Sequence, residues 1–253
     1  MVKGLDVFRD HFKGFKDRYV LIGGTASSIV MEEAGMAFRA TKDLDIVLCI
    51  ETLDSDFVQR FWEFIENGDY TNRQKSTGKK LFYRFHSPQN MNFPYMLELF
   101  SRTPDSLESS TKDSHFTPIP VEEDVSSLSA ILLVSVYYHF IHQNIKVIEN
   151  LPVIGPEVLI PLKAKAWLDL IERKTLGDTI DSKDIRKHRN DVFRLFQLLP
   201  GNSSINFPME IKEDLKQFTD RIVSDSGINL KTLGIRTQSL NGVISRLKEF
   251  YRI

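Results

Sequence analysis

The spacing of hydrophobic residues divides the chain into a first part of short strands and a second part of long helices. In the first part, apolar runs bounded by turn residues predict strands at 19–22 and 44–50. The earlier run ends at a glycine pair and is followed by helix-forming residues up to Gly35, which predicts a strand, a tight turn and a helix. Residues 54–66 place aromatic side chains along one face and predict an amphipathic helix.

Two further strands precede the predicted helical part. Residues 81–85 and 95–100 are apolar runs on either side of a turn-rich segment, and residues 102–127 have the composition of a connection. Beyond it, a 3.6-residue period predicts helices at 130–145, 157–174, 183–199, 208–224 and 237–251. We therefore expect an α+β fold. Residues 1–125 should form a mixed sheet with flanking helices, and residues 126–253 a helical bundle that closes over a cleft between the two parts.

Composition narrows the class of protein. The 253 residues are 42% hydrophobic and 26% charged, which excludes a disordered or fibrous chain. The 33 basic and 34 acidic residues give a net charge of −1, so any site for a polyanion must be local. The single cysteine, Cys49, excludes a disulfide framework and a cysteine-based zinc site. The longest apolar stretch is about half the length of a membrane span, and no secretion signal is seen, so we expect a cytoplasmic protein without a membrane partner.

Three acids in predicted strands form the first candidate functional site. Asp43 and Asp45 lie two residues apart, so they share one face of a strand with Cα atoms roughly 6–7 Å apart. Two carboxylates this close repel each other unless a proton, a basic neighbour or a divalent cation lies between them, and magnesium suits the geometry best. Glu98, the one acid of an apolar strand, is the natural third carboxylate. The alternatives are a hydrated strand start for the aspartates and a water-facing edge charge for Glu98.

A glycine turn upstream offers a place for phosphate. Gly23 and Gly24 let backbone N–H groups approach an anion, and the helix that follows presents its positive end to the same point. The sequence therefore predicts a phosphate cradle beside the acidic cluster.

This combination resembles the nucleotidyltransferase superfamily of the DNA polymerase β type. The residues that carry the resemblance are Gly-Gly-Thr at 23–25, the hydrophobic-flanked Asp-x-Asp and the later lone acid. Within the superfamily, the chain is most similar to the AbiEii/AbiGii-type toxins, whose Arg-x-Thr-x-Asp-hydrophobic-Asp string matches residues 39–45. A lysine in a following helix is matched by Lys163, and an aspartate in a later helix by Asp191. Lys187 and His188 stand where many members carry Arg-Asp.

The resemblance implies a nucleotidyltransferase-like fold and metal-dependent transfer of a nucleoside monophosphate from a triphosphate such as ATP. It implies Mg²⁺, or Mn²⁺, at Asp43, Asp45 and Glu98, with Glu98 also assisting deprotonation of the acceptor. The implied catalytic set adds Lys163 and Asp191 to these three acids. The implied nucleotide-binding residues are Gly23, Gly24, Thr25, Arg39, Thr41 and Lys163. A toxin implies an acceptor such as RNA (tRNA) or a protein hydroxyl, together with a cognate antitoxin.

The predicted helix at 183–199 begins with a stripe of basic side chains that could meet the phosphates of an RNA acceptor. Its members are Lys183, Arg186, Lys187 and Arg189. The alternative is a solvated face with pairs such as Asp184 and His188. For Lys163 the alternative is a surface lysine, because Lys165 has an equally exposed-looking position.

Two other functions fit the same residues. One is a non-catalytic module that binds a nucleotide or is sequestered by an antitoxin, although a binder has no need of three converging carboxylates. The other is an adenylyltransferase for a small molecule such as an aminoglycoside. A strongly acidic acceptor cleft would favour the small molecule, and a basic one would favour RNA.

Overall fold

A computed structural model describes residues 2–71, 83–102, 116–118, 129–202, 205–225 and 227–253. The strands are β1 Tyr19–Ile22, β2 Asp43–Leu48, β3 Arg84–His86, β4 Met96–Ser101, β5 Phe116–Pro118, β6 Ser129–Leu132, β7 Ile145–Ile148 and β8 Leu151–Ile154. The helices are α1 Leu5–His11, α2 Gly23–Glu33, α3 Ser55–Gly68, α4 Ser135–His142, α5 Pro156–Thr175, α6 Ser182–Phe196, α7 Met209–Ile222 and α8 Leu240–Tyr251. A 3₁₀ turn at Leu230–Leu233 precedes α8.

The strands form one mixed sheet in the order β5-β6-β4-β2-β1-β8-β7, with β3 also paired to β4. The pairs β2/β4, β4/β6 and β1/β8 are parallel. The pairs β1/β2, β3/β4, β5/β6 and β7/β8 are antiparallel. Strands β1 and β2 are buried nearly throughout, as expected at the centre of a sheet covered by helices. The predicted α+β class, a mixed sheet with flanking helices and further helices after it, is confirmed.

Helix α3 shows how the sequence pattern becomes a packed layer. The Asp54 carboxylate accepts a hydrogen bond from the Phe57 N–H at 2.9 Å and caps the helix. Phe57, Phe61 and Phe64 recur on one face, and all three rings lie close to the ring of Phe12. This aromatic cluster fixes one side of the sheet.

Helix α5 packs against α2 from the sheet layer and against α6 and α7 from the C-terminal helices. It begins at Pro156, where a proline costs nothing because the first helical N–H has no intrahelical acceptor. Because α5 touches both layers, side chains on its surface can meet groups from the sheet and from α6.

One predicted helix is wrong in its first half. The segment predicted as a helix at 130–145 contains strand β6, then α4, and ends where β7 starts. A short apolar run has no polar face to reveal its period, so pairing with β4 decides its structure. The hairpin β7–β8 was also not predicted. Its two-residue turn, Glu149 and Asn150, has positive φ at both positions, and glutamate is an unusual residue there.

The other predicted elements are found, with ends that differ by a few residues. Residues 81–82 and most of 102–127 lie outside the described residues. The division of the chain after residue 125 stays a prediction, and strands on its two sides pair with each other, β6 with β4 and β8 with β1. Within the described part of the chain, no helix is both long and apolar enough to cross a membrane.

Candidate active site

The junction of β1 and α2 is built around two glycines. Gly23 has φ +64°, and a Cβ there would fall 1.7 Å from Asp45 Oδ2. A Cβ on Gly24 would fall 2.5 Å from Thr41 Oγ1. The Gly24 N–H donates to Asp45 Oδ2 at 3.4 Å. Only glycine therefore lets the carboxylate of Asp45 and the side chain of Thr41 lie against the start of the helix.

Strand register brings the three predicted carboxylates together. Asp43 and Asp45 alternate on the same face of β2, and Asp45 is the direct partner of Glu98 in the parallel pairing with β4. All three are partly buried and line one cleft with Gly23 and Gly24. The structure thus brings together the acidic cluster and the glycine turn, as the sequence predicts.

The cluster carries uncompensated negative charge. Burial, together with the neighbouring Glu98 charge, raises the pKa of Asp45 to about 6. Asp43 acts in the same direction and Lys163 in the opposite one. Among the residues that the structure describes, neither Asp43 nor Asp45 forms an ion pair with a basic side chain. The positive charge of Lys163 acts on Asp45 without forming an ion pair with it.

Glu98 differs from the two aspartates because it has a basic partner. Arg84 on β3 stands opposite Glu98 in the antiparallel register, and its Nε donates to Glu98 Oε1 at 2.5 Å. In the described ranges, no group of three or more His, Cys, Asp or Glu side chains is arranged to hold a metal ion. The three-carboxylate metal site, Glu98 included, therefore stays a prediction, and the Arg84 contact was not foreseen from sequence.

Lys163 reaches the cleft from α5. It is buried, which removes the alternative of a surface lysine, and its Nζ lies 3.6 Å from Asp191 Oδ2. Burial lowers its pKa, although the carboxylates of Asp191 and Asp45 oppose this shift. Lys165 is more exposed and pairs with Asp169 at 3.4 Å and Asp214 at 3.3 Å. Of the two lysines, Lys163 is therefore the one held between the cleft and a buried acid.

Asp191 is fully enclosed and does not line the cleft. Arg39 donates hydrogen bonds to the Asp191 carboxylate from Nε at 2.9 Å and from Nη2 at 2.6 Å. Arg194 Nη1 donates to the same carboxylate at 3.1 Å. Burial favours a raised pKa for Asp191, but the Arg39 hydrogen bonds and the charges of Lys163 and Arg194 outweigh it and lower the pKa. The catalytic role predicted for Asp191 stays a prediction; in the structure its carboxylate contacts Arg39 and Lys163.

Two of the predicted nucleotide-binding residues, Thr25 and Arg39, have partners within the protein. The Thr25 hydroxyl is fully buried and donates to the backbone carbonyl of Asp43 at 2.7 Å. It ties α2 to β2 and does not face the cleft. Arg39 is taken up by Asp191, whereas Thr41 lines the cleft beside Gly24.

The basic stripe of α6 has three different environments. Lys183 and Arg186 are exposed, and Lys187 lines the cleft. Arg189 is buried and donates to Asp225 at 2.6 Å and to the Gly227 carbonyl at 3.2 Å. Arg189 therefore ties α6 to the segment after α7, and it is not available to an RNA acceptor.

The cleft is a cavity of 410 Å³ between the sheet and the helices α4, α5 and α6. Sequence reasoning missed part of its lining: Leu162, Ala166, Asp169, Leu133, Val134, Tyr137 and His188. Those on α5 stand three and four residues from one another around Lys163, which is the spacing of one helix face and a signal that could have found them. Tyr137 Oη donates to Asp214 Oδ2 at 2.9 Å. The buried Nδ1 of His188 has no hydrogen-bond partner in the described structure.

Comparison with known proteins gives one solved structure. No family model matches the chain, and no curated protein matches it significantly. The chain is similar to a crystal structure of a protein from H. pylori described as a "putative nucleotidyltransferase". The two share 15% identity over 98% of this chain and 92% of that chain, with a TM-score of 0.34. A likeness at this TM-score gives no information about the activity of this chain.

Proposed function

We propose that this chain is a metal-dependent nucleotidyltransferase of the DNA polymerase β superfamily, which transfers a nucleoside monophosphate from a triphosphate to an acceptor. The observation that carries the proposal is the register of the sheet. It sets Asp43, Asp45 and Glu98 side by side at the start of α2, within the cleft that Lys163 enters from the opposite wall. A structural role gives no reason for three acids to share a cleft with no basic partner for two of them.

The two aspartates fit a divalent cation. Their oxygens are the hard ligands that Mg²⁺ and Mn²⁺ prefer, and no described basic side chain pairs with either carboxylate. Mg²⁺ is usually held by one or two carboxylates together with substrate phosphates and water, so a complete protein cage is not required. When bound, the cation would neutralise charge on the triphosphate and on the leaving pyrophosphate. Glu98 would join as a third ligand or as the acceptor's base.

The chain's own groups bind and orient the triphosphate. The first amides of α2 at Gly23 and Gly24 present the positive end of a helix to the cleft. Lys163 and Lys187 supply positive charge from α5 and α6. Thr41 lines the cleft beside these groups. Holding the phosphates between two charged walls lowers the barrier through positioning and charge stabilisation.

The acceptor we propose is an RNA such as tRNA, with a protein hydroxyl as the alternative. Three lysines, Lys163, Lys165 and Lys187, line the helical wall of the cleft, and Lys183 and Arg186 continue the positive charge along the exposed face of α6. This favours a polyanion over an aminoglycoside-like cation. The role as a toxin with a cognate antitoxin rests on the sequence resemblance alone.

Incubation with magnesium and each α-labelled nucleoside triphosphate tests the activity. Total RNA, a cell lysate and an aminoglycoside serve in turn as acceptors. We expect label on RNA or protein with the wild type and none with Asp45→Asn, while Asp220→Asn, an exposed aspartate outside the cleft, labels normally. Absence of label on every acceptor favours the non-catalytic binder. Equal labelling by Asp45→Asn contradicts the proposed site.

RNA binding tests the proposed acceptor separately. Because Lys183 and Arg186 are exposed on α6, replacing both with glutamine should weaken binding to total tRNA and reduce its salt dependence by about one unit of slope per residue. Fluorescence anisotropy at several salt concentrations measures both. Unchanged affinity and slope would indicate that this face of α6 is an ordinary solvated surface.

A further inference from the structure

Glu98 has neighbours of opposite charge on its two sides. In the register of the sheet, Asp45 of β2 is its partner on one side and Arg84 of β3 its partner on the other. Directly opposed residues of an antiparallel pair have Cβ atoms about 4.5–5.5 Å apart, so Arg84 reaches the Glu98 carboxylate, and Asp45 lines the same cleft as Glu98. Glu98 therefore stands at the boundary between the acidic cluster and a basic side chain.

In the structure, the Glu98 carboxylate contacts Arg84. Both Nε and Nη2 of Arg84 contact the same oxygen, Glu98 Oε1. The Glu98 side chain is 14% exposed and that of Arg84 is 42% exposed. The partly buried carboxylate is thus paired with an arginine whose side chain is more exposed than its own.

Among the described residues, no group of three or more acids is arranged to hold a metal ion. Both Arg84 contacts fall on Glu98 Oε1, so Oε2 keeps its lone pairs. A cation that binds Glu98 through Oε1, alone or together with Oε2, would compete with Arg84 for the lone pairs of that oxygen.

We infer that Arg84 is a built-in counter-ion of Glu98, and that it competes with a divalent cation for the Glu98 carboxylate when a cation binds the cleft. The inference rests on the proposed function, because it takes the acidic cluster as the cation site. Without a cation, Arg84 offsets part of the repulsion among the three acids. With one, the cation weakens the Arg84 contact on Oε1. The strength of the Arg84–Glu98 pair therefore sets the concentration of cation at which the third carboxylate is recruited.

Calorimetric titration of the protein with Mn²⁺ alone measures this competition. We expect Arg84→Gln to bind Mn²⁺ about threefold to fivefold more tightly than the wild type, since the cation no longer competes with a partly exposed ion pair. Arg173→Gln removes an exposed arginine that pairs with Asp178 outside the cleft, and it should bind as the wild type does. Arg84→Lys keeps the charge and serves as a second variant if Arg84→Gln folds poorly; it should give an intermediate gain.

A double-mutant cycle separates competition from the simple loss of a positive charge. In the Glu98→Gln background Arg84 has no carboxylate to hold, so Arg84→Gln should change the Mn²⁺ affinity less than about twofold. An equal gain in both backgrounds would overturn the inference, because it would reflect charge alone. The inference would also be overturned if Arg84→Gln left the Mn²⁺ affinity unchanged while Asp45→Asn abolished Mn²⁺ binding. That result would leave the proposed metal site intact. Absence of Mn²⁺ binding in both the wild type and Arg84→Gln would contradict the metal site and the inference together.

Discussion

At the scale of single residues, the walls of the cleft are connected by Asp191, a fully buried carboxylate that does not itself line the cleft. Asp191 holds Arg39 from the loop before β2, Lys163 from α5 and Arg194 from its own helix. A buried charge surrounded in this way stabilises little by itself, but its removal leaves its partners uncompensated. Asp191 is therefore the residue through which the sheet and the helices share one charged network.

Replacing Asp191 with asparagine should lower the free energy of unfolding by about 3–5 kcal/mol, because the buried Lys163 and the partly buried Arg39 and Arg194 lose their counter-ion. Urea unfolding measures the change, and Asp220→Asn, exposed and paired with Lys248 on the surface, should leave the midpoint unchanged. Protein that remains folded should show a raised KM for the triphosphate, since Lys163 and Arg39 lose their anchor. A loss below about 1 kcal/mol would mean that the network is solvated and not buried.

His188 predicts a dependence of stability on pH. Burial, and then the charges of Lys163 and Lys187, lower its pKa to about 3. The folded protein therefore leaves His188 neutral where the unfolded chain, with an ordinary pKa of about 6.5, binds a proton. The unfolded state then gains protons as pH falls, so stability present above pH 6.5 is lost towards pH 3, at up to about 1.4 kcal/mol per pH unit.

The comparison that isolates this effect is wild type against His188→Gln, unfolded in urea from pH 7 to pH 4. The wild type should lose stability more steeply than the variant as pH falls. Parallel curves for the two proteins would show that His188 protonates in the folded state as it does in the unfolded chain.

At the scale of elements, the turn between β1 and α2 is the part whose backbone geometry the site requires. Gly23 and Gly35 lie near opposite ends of α2, and both have positive φ, +64° and +70°. They differ in their surroundings: a Cβ at Gly35 would meet no atom within 4 Å, whereas one at Gly23 would overlap Asp45. The two glycines therefore separate backbone strain from the packing of the carboxylate.

Gly35→Ala should cost about 1–2 kcal/mol, the strain of an L-residue in the left-handed region. Gly23→Ala carries the same strain and also expels Asp45, so it should cost at least about 1 kcal/mol more and abolish Mn²⁺ binding. Urea unfolding and metal titration of the two variants make the comparison. Equal costs with Mn²⁺ binding retained in both would show that Asp45 does not depend on this turn.

At the scale of elements, some parts of the fold could be predicted from the sequence and others could not. The glycine turn, the Asp-x-Asp strand and the amphipathic helices were predictable because each is encoded by local spacing. Strand β6, the hairpin β7–β8 and the Arg84–Glu98 pair were not, because each depends on pairing between distant segments. The α6 stripe shows the same limit: its period is visible in the sequence, but only the packed structure separates cleft-lining Lys187 from buried Arg189.

At the scale of the whole molecule, the proposed chemistry depends on two walls of opposite character. The sheet contributes three acids and a glycine turn, α5 contributes Lys163, which pairs with the buried Asp191, and α6 contributes Lys187. A near-zero net charge gives no long-range attraction for a polyanion, so binding must come from local groups. In the proposed function, the phosphates of a triphosphate would meet the lysines on one side and the proposed cation site on the other.

The most direct test of this account follows both ends of the triphosphate in one reaction. Wild-type protein is incubated with magnesium, the acceptor and the triphosphate, labelled in parallel at the α- or the γ-phosphate. The account predicts that α-label moves to the acceptor while γ-label appears in pyrophosphate in an equal amount, and that Asp45→Asn does neither. Transfer of the γ-label to the acceptor, or release of inorganic phosphate without transfer, would contradict nucleotidyl transfer in this cleft.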